Sequence, residues 1–219
     1  FKRPIIQRIF RSFLSLTLPN PKVFRTLSVL VNIVRPLNFI FPEFIKNSMK
    51  LMPARLPKKT LRTQKVYSVA KKKPVARVAL LTGCVQRVIS PEINESTIRL
   101  LNRHQVEVIV LPEINCCGSL DHHMGKEKAA HELFKKNINL WYDEYLNSGL
   151  TAIISNTSGC GTTLKDYGFI FRDDKEMKKK AKKISELTKD VSEFLDKDIK
   201  LNFKKNDKTY KIAYHSPCS

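Results

Sequence analysis

The residues of this sequence best suited to chemistry are its five cysteines. Two of them, Cys116 and Cys117, are adjacent and precede a glycine and a pair of histidines in the stretch LPEINCCGSLDHHMG. Thiolates are soft ligands for zinc and for iron–sulfur clusters, and they also carry out thiol–disulfide exchange. An odd number of cysteines in a lysine-rich sequence without an export signal argues against a disulfide framework. We therefore expect reduced thiols.

The elements that must position these thiols begin after Pro74, where short apolar runs alternate with amphipathic helices. Helical patterns start near Pro91, end near Gly149 and recur over 173–198. Buried strands rich in Val and Ile are predicted at 75–81, 106–111, 150–155 and 210–215. Strands that alternate with helices predict βαβ crossovers, and hence an α/β fold with an open, mainly parallel, Rossmann-like sheet.

Every cysteine follows the end of a predicted strand. The four strands are followed in turn by Cys84, by Cys116 and Cys117, by Cys160 and by Cys218. Because the carboxyl ends of parallel strands share one edge of an open sheet, we expect these thiols to meet there. The alternative is that each is a small buried hydrophobic residue. Glycines, which let the backbone approach a ligand closely, favour a site: four of the seven are Gly83, Gly118, Gly159 and Gly161.

An iron–sulfur cluster is the centre that fits this spacing best. Structural zinc sites use C-x₂₋₄-C knuckles, and the sequence has no CxxC. Adjacent cysteines project in different directions, which suits several irons better than one ion. Zinc is the second alternative. A thiol redox centre at Cys116 and Cys117 is the third, because a vicinal disulfide is strained and reducible.

The five histidines are weaker candidates than the cysteines. His122, His123 and His215 lie close enough in sequence to a cysteine to ligate a metal or donate to sulfur, although solvated loop histidines are the more common case. His104 and His131 lie on predicted helices, and we expect them to be structural.

The formal net charge of +20 is concentrated in the N-terminal third. Residues 1–77 contain 18 Lys and Arg and the single acid Glu43, whereas 78–219 contain 22 basic and 19 acidic residues. Apolar residues at helical spacing predict basic amphipathic helices within 1–52, the second ending before Pro36, and 53–74 is predicted to be a linker. The apolar run 26–34 is far short of the about 20 residues that a membrane span needs.

The basic segment allows a second class of function, in which the chain is a nucleic-acid- or lipid-binding module with structural zinc-bound or reduced cysteines. The segment lacks the alternation of aromatic and basic residues that base stacking uses, so no nucleic acid is expected. Helices that pack on a domain or on a membrane surface fit this pattern better.

Several motifs together resemble those of the cysteine-rich CCG domain family: TGCVQ at 82–86, NCCGSLDHH at 115–123, NTSGCG at 156–161 with KDYG at 165–168, and YHSPCS at 214–219. This family includes the iron–sulfur subunits of glycolate oxidase (glycolate dehydrogenase). More distant members are the heterodisulfide reductase B subunits and the lactate-utilisation iron–sulfur proteins. The likeness runs through the whole sequence, and its specific part is 77–219.

The resemblance implies a site as well as a fold. The family pattern is one Cys, then CCG, then CxxC, usually twice per protein; Cys160 matches the second cysteine of the CxxC, whose first position is Thr157 here. The implied metal ligands are four, enough for a [4Fe–4S] cluster: Cys84, Cys116, Cys117 and Cys160. Gly118, which completes the CCG motif, and Cys218 are the further cofactor-binding residues that the resemblance implies. Cys218 matches the first cysteine of a second repeat, which would begin near 211, so that 75–219 would hold the first CCG domain of a longer protein.

The resemblance further implies an electron-transfer subunit. It would relay electrons from a flavoprotein that oxidises glycolate or a similar 2-hydroxy acid towards a membrane or quinone acceptor. No residue in the sequence is suited to bind flavin or remove a hydride, so substrate oxidation would belong to the partner subunit. We therefore expect a cytoplasmic protein, peripheral on the inner face of the membrane.

Overall fold

A computed structural model of the chain describes residues 4–57, 65–70, 73–199, 201 and 208–214. Helices form its N-terminal segment: α1 (Ile5–Thr17), α2 (Pro21–Val34), a 3₁₀ turn (Arg35–Ile40) and α3 (Glu43–Lys50). Asn20 caps α2 through its side-chain oxygen, which accepts from the backbone N–H groups of Lys22 and Val23. The basic helical segment expected over 1–52 is helical over these described elements.

The rest of the described chain is built on one five-stranded sheet. Its strands are β1 (Val66–Tyr67), β2 (Ala76–Leu81), β3 (Val106–Ile109), β4 (Ala152–Ser155) and β5 (Thr188–Asp190). They lie in the order β1-β3-β2-β4-β5. β1 is antiparallel to β3, and every other pair is parallel. This confirms the predicted α/β fold with a mainly parallel sheet.

Helices cover both faces of the sheet. They are α4 (Gln86–Ile89), α5 (Pro91–Arg103), α6 (Ser119–His123), α7 (Glu127–Ser148), α8 (Ser158–Ile170), α9 (Lys178–Leu187) and α10 (Val191–Phe194), which continues as a π-helical turn (Leu195–Ile199). Successive residues of β2 face opposite sides: Ala79 packs in an apolar cluster with Phe134 and Trp141, and Val78 packs in a second with Leu101. Burial on both faces explains why the central strands are continuous Val, Ile and Leu runs.

The strand predicted at 210–215 is wrong over its described part. Residues 210–214 have no sheet partner among the described residues, and Tyr210, Ile212 and Tyr214 are exposed. The position beside β4 is taken instead by β5, where Ile153 pairs with Thr188. β5 lies inside the interval predicted to be helical, and its sequence TKD has no strand pattern. Its place is set by pairing with β4 and by the capping box of α10, in which Asp190 accepts from the Ser192 N–H.

The predicted linker also contains an element that sequence reasoning missed. Val66 and Tyr67 pair with Ile109 and Val108 as β1, and the Lys65 carbonyl accepts a hydrogen bond of 2.9 Å from the Val110 N–H. A two-residue strand is too short to show a period, so the pairing with β3 is what defines it.

The helical path of α2 extends further than expected. The chain continues past Pro36 as a 3₁₀ turn to Ile40, with a kink at Leu37. By length and composition alone, Pro21–Ile40 is long and apolar enough to cross a membrane. The expectation that this region is far too short was wrong because it counted only the apolar run 26–34.

Candidate metal centre

Four thiols meet at one edge of the sheet. Cys84 lies in the loop after β2, Cys116 and Cys117 lie between β3 and α6, and Cys160 lies in the first turn of α8, after β4. The Sγ atoms of Cys117 and Cys160 are 3.1 Å apart. The Cys84 thiol interacts with that of Cys116, which interacts with that of Cys117. Three segments of the chain thus join their sulfur atoms into one continuous group, although up to 43 residues separate neighbours in it.

These thiols are free and contact one another directly. In the described parts of the chain, no group of three or more His, Cys, Asp or Glu side chains is arranged to hold a metal ion as it stands. Metal binding at this group therefore requires the sulfur atoms to exchange their mutual contacts, and their protons, for metal bonds. That the four cysteines are ligands stays a prediction.

Mutual contact and burial raise the pKa of three of the thiols, those of Cys84, Cys116 and Cys117. The interaction with Cys116, followed by burial, raises the pKa of Cys84 far above the usual thiol value. The contact with Cys117 is the main cause that raises the pKa of Cys116 to about 12. For Cys117, the contact with Cys116 lowers the pKa, but the contact with Cys160 and burial outweigh it. A positive metal centre would instead lower these pKa values and stabilise the thiolates.

Gly118 explains the third position of the CCG motif. Its φ is +85°, a conformation that residues with a Cβ rarely adopt. A Cβ at this position would lie 2.5 Å from Cε1 of Phe134, which is fully buried. The tight turn also directs the Gly118 N–H to the Sγ of Cys116, at 3.4 Å. Only glycine permits this close approach of backbone, sulfur and aromatic ring.

Two buried side chains hold the carbonyl groups of the cysteine pair. Asn137 of α7 donates to the Cys116 carbonyl at 2.8 Å, and Tyr167 of α8 donates to the Cys117 carbonyl at 2.7 Å. Burial is the main cause that raises the pKa of Tyr167 well above its usual value, so its hydroxyl remains a donor. Sequence reasoning assigned no partner to Tyr167 and missed Asn137. The signal for Asn137 was a polar residue between Phe134 and Ile138 on the apolar stripe of α7.

A polar network joins the Cys84 loop to the Cys160 loop. Gln86 donates to Asn94 at 3.0 Å and to Asn156 at 2.9 Å. The Thr157 hydroxyl donates to the Gln86 side-chain oxygen at 2.6 Å. Asn94 is completely buried and donates to the Thr82 carbonyl. Thr157, at the position of the missing family cysteine, is therefore part of the scaffold that fixes the two loops.

The electrostatic surroundings favour negative charge at the group. Cys160 is the third residue of α8, whose 13 residues direct the positive end of the helix dipole to the thiols. Arg87 adds a cation near Cys84 and donates to Asn115 at 3.3 Å. Burial lowers the pKa of Arg87 while the neighbouring Cys84 raises it. Sequence reasoning missed Arg87, which directly follows the TGCVQ motif.

The described histidines His122, His123 and His131 differ in their surroundings. His131 packs its ring against Phe134 and Phe171, as expected for a structural residue. His123 is exposed. The His122 ring contacts Phe134 edge-on, and its buried Nδ1 has no hydrogen-bond partner among the described residues. His215, a weaker candidate, and Cys218, an expected cofactor-binding residue, lie outside the described residues.

The chain is similar to a protein family and to several known proteins. The family CCG, described as a cysteine-rich domain, matches residues 78–165. The chain is 32% identical over 219 residues to the glycolate oxidase iron-sulfur subunit of Escherichia coli (strain K12). The aligned residues cover 100% of this chain and 50% of that relative. The chain is 29% identical over 197 residues to the probable glycolate oxidase iron-sulfur subunit of Bacillus subtilis (strain 168), covering 88% and 40%. An uncharacterized iron-sulfur protein of Methanococcus maripaludis is 34% identical over 142 residues, covering 65% and 25%.

The chain thus spans half or less of the length of these relatives. No solved structure matches it. The matched residues 78–165 include all four clustered thiols, Gly118, and the loops that the Gln86 network joins. Through this segment, the chain belongs to the CCG family of cysteine-rich domains.

Proposed function

We propose that Cys84, Cys116, Cys117 and Cys160 hold an iron–sulfur cluster of the [4Fe–4S] type, and that the chain is part of the electron-transfer subunit of a glycolate-oxidising complex. The observation that carries this proposal is the meeting of four thiols from three segments of the chain at one sheet edge. The donor set suits iron–sulfur, because it consists only of soft sulfur ligands in a largely buried place. The relatives named as iron-sulfur subunits support the same cofactor.

The bound cluster would accept and release single electrons, and the protein's own groups would tune how readily it does so. The Gly118 N–H lies within reach of the Cys116 sulfur. The N-terminus of α8 and the Arg87 guanidinium add positive potential near the sulfur atoms. Each of these stabilises the more negative, reduced form of a cluster and so raises its reduction potential.

The proposed partners are other subunits of the same complex, since the relatives are named as subunits of glycolate oxidase. A subunit of this kind receives electrons from a flavoprotein subunit that oxidises glycolate or another 2-hydroxy acid. It passes them towards a membrane or quinone acceptor. The corresponding location is cytoplasmic, on the inner face of the membrane.

Anaerobic reconstitution with ferrous iron and sulfide tests the cofactor. The proposal predicts about four irons and four acid-labile sulfides per chain, and an EPR signal that appears on reduction. The matched control is the same procedure with zinc and without sulfide, because a mononuclear zinc site is the main alternative for four thiols. Stoichiometric zinc uptake, with no incorporation of iron or sulfide in the first experiment, would overturn the proposal.

A further inference from the structure

Helix α1 contacts the protein through polar side chains and leaves most of its apolar residues exposed. Arg11 donates to the Met124 carbonyl at 2.6 Å, and the Ser15 hydroxyl donates to the buried carboxylate of Asp121. Its apolar side is exposed and consists of Ile5, Ile6, Ile9, Phe10, Phe13 and Leu16. Surface helices of globular proteins bury the apolar side and expose the polar one. The face of α1 is therefore built to meet an apolar environment outside the described chain.

The next elements also expose apolar residues. In α2, Phe24 and Ser28 are buried, whereas Val29, Leu30 and Ile33 are exposed. The 3₁₀ turn that follows exposes Leu37, Phe39 and Ile40. We call the exposed apolar residues of α1, α2 and this turn the N-terminal apolar surface. Contiguous exposed apolar surfaces mark sites of protein or membrane interaction.

The charge around this surface favours an anionic lipid membrane over a second copy of the chain. The described residues 4–57 contain one acid, Glu43, which pairs with Lys46. They contain eight basic residues: Arg8, Arg11, Lys22, Arg25, Arg35, Lys46, Lys50 and Arg55. A second copy of the chain would bring the same positive charge to the contact and would be repelled. An anionic lipid surface complements both the charge and the apolar residues.

We propose that the N-terminal apolar surface docks on an anionic lipid bilayer, with α1 and α2 lying along the headgroup boundary. The composition of Pro21–Ile40 is apolar enough to enter a bilayer. Its polar side chains, however, hold it to the chain that follows: Arg25 donates to the Pro57 carbonyl, Asn32 to that of Pro53 and Arg35 to that of Met49. These bonds suit a helix that lies on the membrane rather than one that crosses it. The inference deepens the peripheral location proposed above and does not depend on the cluster.

Vesicle binding of the 219-residue chain tests this docking. The variant Phe10→Trp places a fluorophore on the apolar side of α1, against the constant background of the buried Trp141. We expect a blue shift with vesicles that contain phosphatidylglycerol, a much weaker response with pure phosphatidylcholine, and loss of binding as salt rises.

Charge-introducing variants locate the contact. Ile9→Glu with Phe13→Glu should weaken binding to the anionic vesicles at least about tenfold. Leu146→Glu on α7 is the matched control, because Leu146 is as exposed as Ile9 and lies on a different helix, and it should bind like the parent chain. A second variant, Arg8→Glu with Lys22→Glu, leaves every apolar residue in place and should also lose the preference for anionic lipid.

Three results would overturn the inference: no binding to anionic vesicles, equal binding to both lipids at every salt concentration, or equal weakening by Leu146→Glu. Self-association of the parent chain that Ile9→Glu with Phe13→Glu abolishes, in the absence of vesicle binding, would assign the surface to a second copy instead. Measuring the iron and sulfide content of each variant separates this test from that of the cluster. A chain that retains its cluster but ignores vesicles contradicts the docking alone.

Discussion

The sheet domain buries its apolar residues, whereas the N-terminal helices leave many of theirs exposed. In the sheet domain, Phe134, Ile138 and Trp141 of α7 pack in one core, and Asn137 beside them donates to the Cys116 carbonyl. In α1, Ile9 and its neighbours are exposed while polar side chains make the contacts to the domain. The difference indicates that the contacts that stabilise the site lie within the described chain. The exposed apolar residues of the N-terminal helices, by contrast, are suited to contact something outside it.

Replacing isoleucine by alanine in the sheet domain and in α1 should give the largest difference in the free energy of unfolding. Ile138→Ala removes a completely buried side chain and should lower the free energy of unfolding by about 2–5 kcal/mol. Ile9→Ala, on the exposed side of α1, should change it by less than about 0.5 kcal/mol. Urea unfolding followed by circular dichroism measures both. Equal losses would contradict the contrast, since they would mean that α1 is packed by its apolar side.

A pair of glycines probes the turn that holds the cysteine pair. Gly118→Ala should cost about 2–4 kcal/mol, because it adds backbone strain to the overlap with Phe134. Gly125→Ala is the control: its φ is also positive, at +71°, but no atom lies within 4 Å of the added Cβ. It should cost only about 1 kcal/mol. A similar cost for both variants would show that the contact with Phe134 is not what demands glycine in the CCG motif.

Tyr167→Phe tests the support of the Cys117 carbonyl. Removing the hydroxyl leaves a buried carbonyl without its donor, which should cost about 1–3 kcal/mol in unfolding experiments. It should also increase the rate at which a reconstituted cluster is lost in air. Tyr145→Phe, on a partly buried ring of α7, serves as control and should leave both quantities close to those of the parent chain. An unchanged cluster lifetime in Tyr167→Phe would show that this hydrogen bond does not serve the site.

The smallest effect concerns the ion pair between α8 and α10. Lys165, at 2.8 Å, lowers the pKa of Glu193 from its usual value of 4.5. A lowered pKa in the folded state adds stability that is present above pH 4.5 and is lost as the pH falls through the folded-state pKa. Glu193→Gln should therefore cost less than about 1 kcal/mol at pH 7 and nothing near pH 2. A difference that persists at pH 2 would contradict this origin.

Sequence patterns were sufficient to predict the strands whose formation depends on burial alone. The runs at 75–81, 106–111 and 150–155 contain β2, β3 and β4, because strands buried on both faces must be apolar throughout. The placement of thiols at the ends of these strands followed from topology. By contrast, β5 has the sequence TKD and depends on its neighbours, while Tyr210 and Ile212 alternate like a strand but find no partner among the described residues.

The supports of the site were beyond sequence reasoning for a different reason. Gln86 of α4, Asn94 of α5 and Thr157 before α8 are ordinary polar residues until the fold brings them within hydrogen-bond distance. The amphipathic pattern of α1 likewise predicts a helix, but a period does not say which side faces the protein. That choice depends on individual contacts, such as the one between Arg11 and Met124.

The most direct test of the central claim is the iron and sulfide content of single Cys→Ser variants after anaerobic reconstitution. If four thiols from three segments of the chain hold one cluster, Ser at Cys84, Cys116, Cys117 or Cys160 should each reduce or abolish cluster formation and alter the EPR spectrum. Ser at Cys218 should leave the cluster content unchanged, because the family resemblance places it in a second repeat. Full clusters in all four of the first variants would contradict the account.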